Sequence, residues 1–200
     1  MKLILVRHEE KTNKIGFFSE LTEKGKYYSK NIIPNEIDKI IKYPNKVDAI
    51  FSSPYYRTLE TIQYYAEKYN KKVNIENSLC EYINNTYFIY NKWKYDWAEI
   101  HNQKYYNLKK IFNNNYHSLI SIISINDNSN NILESQVEFE NRINYFINYL
   151  KNNYEQNSVI ILSTHMSVIN MIYYLYNNYG DNNKNLLKYT DFGKVIAINI

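Results

Sequence analysis

Short, continuously apolar runs recur along the chain and alternate with segments in which apolar residues follow helical spacing. Runs such as Lys2–Val6 and Ser158–Leu162 suit strands that are buried on both faces of a sheet. Five strands are expected in all, at about residues 2–6, 47–51, 72–76, 158–162 and 194–200. Because helical segments separate most of them, the pattern predicts an α/β fold: a three-layer α/β/α sandwich with a mainly parallel central sheet.

The expected helices begin at recognisable signals. Thr22 is a suitable N-cap for a helix that Pro34 interrupts. Ser53 and Pro54 form a typical helix start, with serine as the N-cap and proline at the first helical position. Two more helices are expected, over about residues 139–150 and from 165 to about 178.

Between residues 82 and 131 the apolar periodicity weakens. This stretch is rich in Tyr, Trp, Lys and Asn and ends in the polar run NDNSNN. We therefore expect one domain over residues 1–200, with a mostly helical insertion or lid at approximately 82–131.

The composition excludes several classes of protein. Hydrophobic residues make up 44% of the chain, which is enough for a core, but no run approaches the roughly 18 apolar residues of a membrane span. The net charge of +4 is too small to indicate a nucleic-acid partner. The single cysteine, Cys80, has no partner for an internal disulfide, which predicts a reducing, cytoplasmic location. No heptad pattern indicates an oligomeric state.

Arginine is rare in a chain that is rich in lysine and in asparagine. Of the 24 basic residues, 21 are Lys and three are Arg: Arg7, Arg57 and Arg142. The planar guanidinium binds phosphate or carboxylate through two parallel hydrogen bonds, which lysine cannot do. The first two arginines are therefore candidates for a binding site, whereas Arg142 is expected on the surface of a helix.

Basic and imidazole side chains follow three of the expected strands. Arg7 and His8 follow the first strand, Arg57 lies one helical turn beyond the second, and His165 follows the fourth. Ligands of parallel sheets bind beyond the carboxyl ends of the strands. The sequence thus predicts a cationic pocket at this edge, suited to a phosphoryl group whose developing charge spreads over its oxygens.

The same pocket contains candidates for covalent catalysis. A neutral imidazole can attack phosphorus and form a phosphohistidine. The leaving oxygen then needs a proton, and Glu81, just after the third strand, is the best placed carboxyl group. No metal or other cofactor is needed for this chemistry, and the spacing of Asp, Glu and His shows no convincing metal cluster.

Five segments, in order, resemble the histidine phosphatase superfamily, which includes cofactor-dependent phosphoglycerate mutases and many phosphatases. They are RHEE (7–10), LTEKG (21–25), SSPYYRTLETI (52–62), SLCEY (78–82) and STHMSVI (163–169). The resemblance implies that His8 is the phosphorylated nucleophile and Glu81 the proton donor. It implies that the phosphate is bound by Arg7, Arg57 and His165.

The chain departs from the family pattern at several positions. Glu9 replaces the usual glycine after the first histidine, which adds a negative side chain near the pocket. Met166 and Ser167 replace a usual Gly-Gly pair. Glu60 stands where glutamine is usual and is expected on the helix surface. Lys14 stands where mutases carry asparagine, and YINN follows the acidic residue, which both favour a phosphatase.

The sequence therefore predicts a metal-independent phosphatase that hydrolyses a phosphomonoester through a phosphohistidine on His8. Two alternatives stay open: phosphoryl transfer of the phosphoglycerate mutase type, and a non-catalytic module that binds a phosphorylated ligand. The expected partner is a phosphorylated substrate, more readily a small molecule than a protein, without nucleic acid or membrane. A phosphosugar, a phosphoglycerate, a nucleotide and a phosphotyrosine peptide are all compatible with the sequence.

Overall fold

The computed structural model describes residues 1–14, 16, 18–42, 46–82, 105–120, 134–176 and 191–200. The strands in these ranges are β1 (Lys2–Arg7), β2 (Val47–Ser52), β3 (Val73–Ile75), β4 (Val159–Thr164) and β5 (Val195–Asn199). The α-helices are α1 (Glu23–Asn31), α2 (Ile33–Ile41), α3 (Tyr56–Lys68), α4 (Gln136–Asn153) and α5 (Met166–Tyr176). Short 3-10 helices lie at Asn77–Leu79 and Tyr106–Ile111.

The strands form one mixed sheet in the order β3-β2-β4-β1-β5. The pairs among β1 to β4 are parallel, and the register of β1 with β4 places Arg7 opposite Thr164. Only the pairing of β5 with β1 is antiparallel within the described part of the chain, with Val195 opposite Val6. The carboxyl ends of β1 to β4 therefore share one edge of the sheet, and β5 begins at that same edge.

Alternate side chains of the strands enter two separate cores, one on each face of the sheet. In β1, Ile4 and Val6 pack toward α2 and α3, whereas Leu3 and Leu5 pack toward α4 and α5. Each fully buried Leu or Ile contributes about 1.5–3 kcal/mol. Burial on both faces explains the continuously apolar strands and confirms the three-layer α/β/α fold.

The start of the first helical region is confirmed. The Thr22 side chain accepts a hydrogen bond from the Gly25 N–H at 3.0 Å and caps α1. Pro34 lies in the first turn of α2, where its missing N–H is tolerated, so the interrupted helix is a pair of helices.

The predicted start of α3 is wrong by two residues. The helix begins at Tyr56, and its N-cap position makes no side-chain capping bond. The hydroxyl of Ser53 instead lies 2.9 Å from His165 Nε2. The Ser53 hydroxyl therefore contacts His165, at the end of β4, and does not cap α3.

The predicted insertion at 82–131 falls largely outside the described residues, and its assignment as a lid stays a prediction. Within residues 105–120, apolar side chains pack into the core beside α3, and Phe112 bridges to Val73. Among the described residues, no helix combines the length and the apolar character that crossing a membrane requires.

Candidate active site

Side chains from four separate segments meet at the edge where β1 and β4 end. The N–H of His8 donates to the Thr164 carbonyl at 3.0 Å, and the imidazole centroids of His8 and His165 lie 5.3 Å apart. Arg57, in the first turn of α3, places Nη2 3.2 Å from His165 Nδ1. Glu81 Oε2 lies 3.2 Å from the same imidazole nitrogen and 3.8 Å from Arg57 Nη2. The structure thus brings together four of the five predicted site residues.

Arg7, the fifth, borders the same pocket. Its guanidinium lies over the ring of Phe192, with Cζ 4.2 Å from the ring centroid. Burial lowers the pKa of Arg7, while the charges of Glu81 and Asp191 raise it and that of Arg57 lowers it. Because the ordinary pKa of arginine lies far above neutral pH, Arg7 remains a cation.

The environment of His8 determines which of its ring nitrogens carries the proton. Nδ1 lies 2.8 Å from the Glu9 carbonyl oxygen, which can only accept, so Nδ1 carries the hydrogen and Nε2 has a free lone pair. Burial lowers the pKa of His8 well below its usual value, and the charge of Arg57 lowers it further. His8 is therefore neutral at neutral pH.

His165 is completely buried and is held at both ring nitrogens. Burial lowers its pKa to about 4, against the opposing effect of Glu81, so His165 is neutral at neutral pH. The Ser53 hydroxyl can donate to Nε2 while Nδ1–H donates to Glu81; Arg57 Nη2, which can only donate, then lies 3.2 Å from Nδ1 without a hydrogen bond to it. In this arrangement His165 presents an N–H donor to the pocket without carrying a charge.

Glu81 lies within ion-pair distance of Arg57 and His165 and is the anion of this cluster. Burial acts to raise its pKa, but His165, the Ser167 hydroxyl and Arg57 together bring the pKa below its usual value. The Ser167 hydroxyl donates to Glu81 Oε1. Glu81 is therefore ionised in the unliganded site, where an anionic ligand would compete with it for Arg57 and His165.

Arg57 is fixed from the side opposite to the pocket. Its Nη1 donates to the Gly16 carbonyl at 3.3 Å and to the Ser19 hydroxyl at 3.2 Å. Its Cζ lies 4.3 Å from the centroid of the Tyr55 ring. These contacts occupy Nη1 and leave Nη2 directed at the His165 imidazole and the Glu81 carboxylate.

The Glu9 side chain lies against Gly193 and is buried. A Cβ added at Gly193 would overlap the Glu9 carboxylate, and Gly193 has a φ of +65°, which only glycine adopts readily. Burial raises the pKa of Glu9, while its backbone N–H donates to Thr61 Oγ1 at 2.9 Å. The replacement of the usual glycine thus places a carboxyl group under the segment before β5.

Several residues at the site were missed by the sequence reasoning. Phe192 is 44% exposed and lies beside both Arg7 and His8, with its ring centroid 5.6 Å from that of the imidazole. An antiparallel direction for β5 would have placed Phe192 at this edge, but the apolar run of β5 carries no directional signal. The hydroxyl groups of Ser53 and Ser167 orient His165 and Glu81, which no local pattern indicates.

Two surface assignments are wrong. Arg142 is 8% exposed and pairs with the buried carboxylate of Glu134 at 2.7 Å. Glu60 is partly buried, because its Oε2 accepts the Leu21 N–H at 2.7 Å. Each side chain is buried at least in part because it bonds to a group on another segment: Arg142 to Glu134, and Glu60 to the Leu21 N–H.

The site contains the ligand types of a metal centre, but a positively charged guanidinium lies beside them. His8, Glu81 and His165 each present a ligand atom, and these atoms lie within 4.8 Å of one another. The Arg57 guanidinium lies 3.2 Å from one of them, so that a metal ion would meet a fixed positive charge. With Arg7 nearby, the arrangement favours an anion.

A groove lies beside this pocket and shares Ser167 with its surroundings. It has a volume of about 400 Å³ and is lined by Tyr82, Gln136, Phe139, Ser167, Asn170, Met171 and Tyr174. Of these residues, Ser167 contacts Glu81 directly.

Comparison with solved structures gives the same fold for phosphatases of diverse origin. An ecdysone phosphate phosphatase from Bombix mori, in complex with tungstate, has a TM-score of 0.62 at 13% identity, covering 98% of this chain and 88% of that chain. A mycobacterial glucosyl-3-phosphoglycerate phosphatase has a TM-score of 0.62 at 14% identity, with coverage of 98% and 88%. A mutant phosphoserine phosphatase from Entamoeba histolytica, in complex with phosphoserine, has a TM-score of 0.55 at 18% identity, with coverage of 98% and 89%.

No curated protein matches the chain. The family model for the histidine phosphatase superfamily (branch 1) matches residues 3–191, which include all five residues of the pocket. Because the match covers nearly the whole chain, we conclude that this protein belongs to the histidine phosphatase superfamily.

Proposed function

We propose that the protein is a metal-independent phosphatase that hydrolyses a small phosphomonoester through a phosphohistidine at His8. The state of His8 carries the proposal: its Nδ1–H is bonded to the Glu9 carbonyl, and its low pKa keeps Nε2 unprotonated. An unprotonated imidazole nitrogen is the form that attacks phosphorus. Arg7 and Arg57 supply the positive charge that the transferring group requires.

The reaction takes place in two steps. In the first, His8 Nε2 forms a bond to phosphorus, the bond from phosphorus to the leaving oxygen breaks, and protonated Glu81 gives its proton to that oxygen. In the second, Glu81 accepts a proton from water as the water oxygen bonds to phosphorus and the P–N bond breaks. His8 returns to its neutral state, and phosphate is released.

The proton that Glu81 donates enters with the substrate. Glu81 is ionised in the unliganded pocket, but a phosphomonoester has a second pKa of about 6 and binds in part as the monoanion. Once the phosphoryl group replaces Glu81 at Arg57 and His165, the like charge raises the pKa of the carboxyl group. The proton can then move to Glu81.

A small-molecule substrate is supported by the similar structures. The names of the three proteins compared above each specify a phosphorylated small molecule: ecdysone phosphate, glucosyl-3-phosphoglycerate and phosphoserine. The Glu9 carboxylate, which motivated the alternative of a non-catalytic binding module, lies against Gly193.

The test compares the wild-type protein with His8→Ala on p-nitrophenyl phosphate, with and without EDTA. We expect His8→Ala to reduce the rate by at least about 10³-fold, because the covalent step is lost, and EDTA to have no effect. Rapid quenching should trap an acid-labile phosphoryl label on the wild-type protein alone. Equal rates for the two proteins would refute the enzymatic function.

Product analysis separates the phosphatase from the mutase. With a phosphoglycerate substrate, the phosphatase releases inorganic phosphate, whereas a mutase returns an isomeric phosphoester. A labelled phosphohistidine that is discharged only to phosphoglycerate, and not to water, would favour the mutase.

A further inference from the structure

The third arginine, Arg142 in α4, reaches the segment that carries Glu81. Its Nε and Nη2 each donate to a carboxylate oxygen of Glu134 at 2.7 Å. Its Nη1 donates to the carbonyl oxygen of Ser78 at 2.6 Å and to that of Cys80 at 3.1 Å. All three guanidinium nitrogens are thus engaged in a buried setting.

These contacts hold the backbone on one side of Glu81. The Cys80 carbonyl belongs to the peptide unit that joins Cys80 to Glu81. The next peptide unit is held by Ser167, whose Oγ accepts the Tyr82 N–H at 3.2 Å. Both peptide units that flank the carboxyl group are therefore anchored, one by Arg142 and the other by Ser167.

We propose that Arg142 is a positioning residue, which fixes the backbone of Glu81 so that its carboxyl group meets the leaving oxygen of the substrate. The inference rests on the proposed phosphatase function, in which Glu81 is the proton donor. Arg142 acts through the carbonyls that precede Glu81 and not on the phosphoryl group. Helix α4 supports the same segment a second time, because Phe139 stacks on Tyr82 with ring centroids 4.6 Å apart.

Lysine cannot replace Arg142 in this role. One ammonium group is a compact donor and cannot bridge both oxygens of Glu134 while it also reaches two carbonyls. The charge of Arg142 is matched by the buried Glu134 carboxylate, so the substitution Arg142→Lys keeps the charge and removes the geometry.

The test uses the leaving-group dependence of the reaction, since a proton donor matters most for a poor leaving group. An alkyl phosphate needs the proton of Glu81, whereas p-nitrophenolate leaves with little assistance. We expect Arg142→Lys to lower kcat/KM for the alkyl phosphate by about 10- to 100-fold, the cost of a displacement of about 1 Å, and that for p-nitrophenyl phosphate by less than about threefold. Glu81→Gln should show the same selectivity. Phe146→Leu alters the core on the same helix and should slow both substrates equally or not at all.

A double-variant cycle isolates the positioning role. Glu81→Gln combined with Arg142→Lys should be no slower on the alkyl phosphate than Glu81→Gln alone, because a misplaced proton donor and an absent one are equivalent. Multiplied losses, or an equal loss on both substrates for Arg142→Lys, would overturn the positioning role while the phosphatase proposal stands.

Lack of selectivity in Glu81→Gln itself would refute the assignment of the proton donor and with it the role of Arg142. If Arg142→Lys does not fold, Glu134→Gln takes its place, since it weakens the hydrogen-bonded pair and keeps the arginine. A smaller loss that is confined to the alkyl phosphate supports the proposal, and an unselective loss contradicts it.

Discussion

Glu60 lies on α3, the helix that carries Arg57, and bonds to Leu21, two residues after the Ser19 hydroxyl that contacts Arg57. Because the Glu60 carboxyl group can ionise, this contact depends on pH. The Glu60 carboxylate accepts the Leu21 N–H at 2.7 Å, and burial raises its pKa from 4.5 to about 7, with Glu20 and Glu23 adding to the effect. The raised pKa means that the folded protein binds the proton more tightly than the unfolded chain does. The free energy of unfolding should therefore fall as the pH rises from about 4.5 to about 7.

The size of this effect follows from the shift in pKa. Each unit corresponds to about 1.4 kcal/mol, so a pKa of about 7 in place of 4.5 costs about 3 kcal/mol of stability above neutral pH. Glu60→Gln keeps an oxygen that accepts the Leu21 N–H and cannot ionise. The variant should be more stable than the wild type by about 3 kcal/mol at pH 8 and of similar stability at pH 4.5.

Urea denaturation at the two pH values measures the difference directly. A gain of about 3 kcal/mol corresponds to a rise in Tm of about 6–12 °C at this chain length. Glu155→Gln, which removes the same charge from an exposed position, should leave stability nearly unchanged. An equal stability difference between wild type and Glu60→Gln at both pH values would refute the reasoning, as would a loss of stability at pH 8.

Two further predictions concern the pocket itself. Because the pKa of His8 is low and the proton for Glu81 comes with the monoanionic substrate, kcat/KM for an alkyl phosphate should decline above about pH 6; a constant value between pH 5 and pH 8 would contradict this source of the proton. Gly193→Ala should cost about 1–3 kcal/mol of unfolding free energy, because alanine is strained at a φ of +65° and its Cβ would overlap the Glu9 carboxylate. The variant should also bind phosphate more weakly, because the overlap displaces the neighbouring Phe192, which contacts Arg7. Phosphate titration and urea denaturation of Gly193→Ala in a Glu9→Ala background should show partial recovery, and its absence would exclude the contact with Glu9 as the cause.

The fold could be predicted because burial on both faces leaves a simple mark on the sequence. Five short runs rich in apolar residues marked five strands, and their alternation with helical segments indicated the layers. The direction of β5 could not be predicted, since an apolar run looks the same in either direction. The start of α3 was misplaced because Ser53 has both a local use as a cap and a distant one at His165, and the distant one prevails.

The pocket could be predicted because parallel strands bring their carboxyl ends to one edge. That rule alone places His8 beside His165, and Arg57 within reach of both. It does not reveal the protonation states, which depend on burial and on partners that are distant in sequence. Burial lowers the pKa of His165 to about 4, and Glu81 supplies a negative charge beside Arg57, neither of which the order of the strands reveals.

Arginine is rare in this chain, and two of the three arginines make contacts that lysine could not make. Arg57 joins the Gly16 carbonyl and Ser19 to the pocket through different ends of one planar group. Arg142 joins Glu134 to two carbonyls before Glu81 through the same geometry, and Arg7 lies over the ring of Phe192. A single ammonium group cannot reproduce the bridging contacts of Arg57 and Arg142. The argument that singled out Arg7 and Arg57 in the sequence therefore applies to Arg142 as well, since its predicted place on the surface of a helix is wrong and its guanidinium is buried among three acceptor groups.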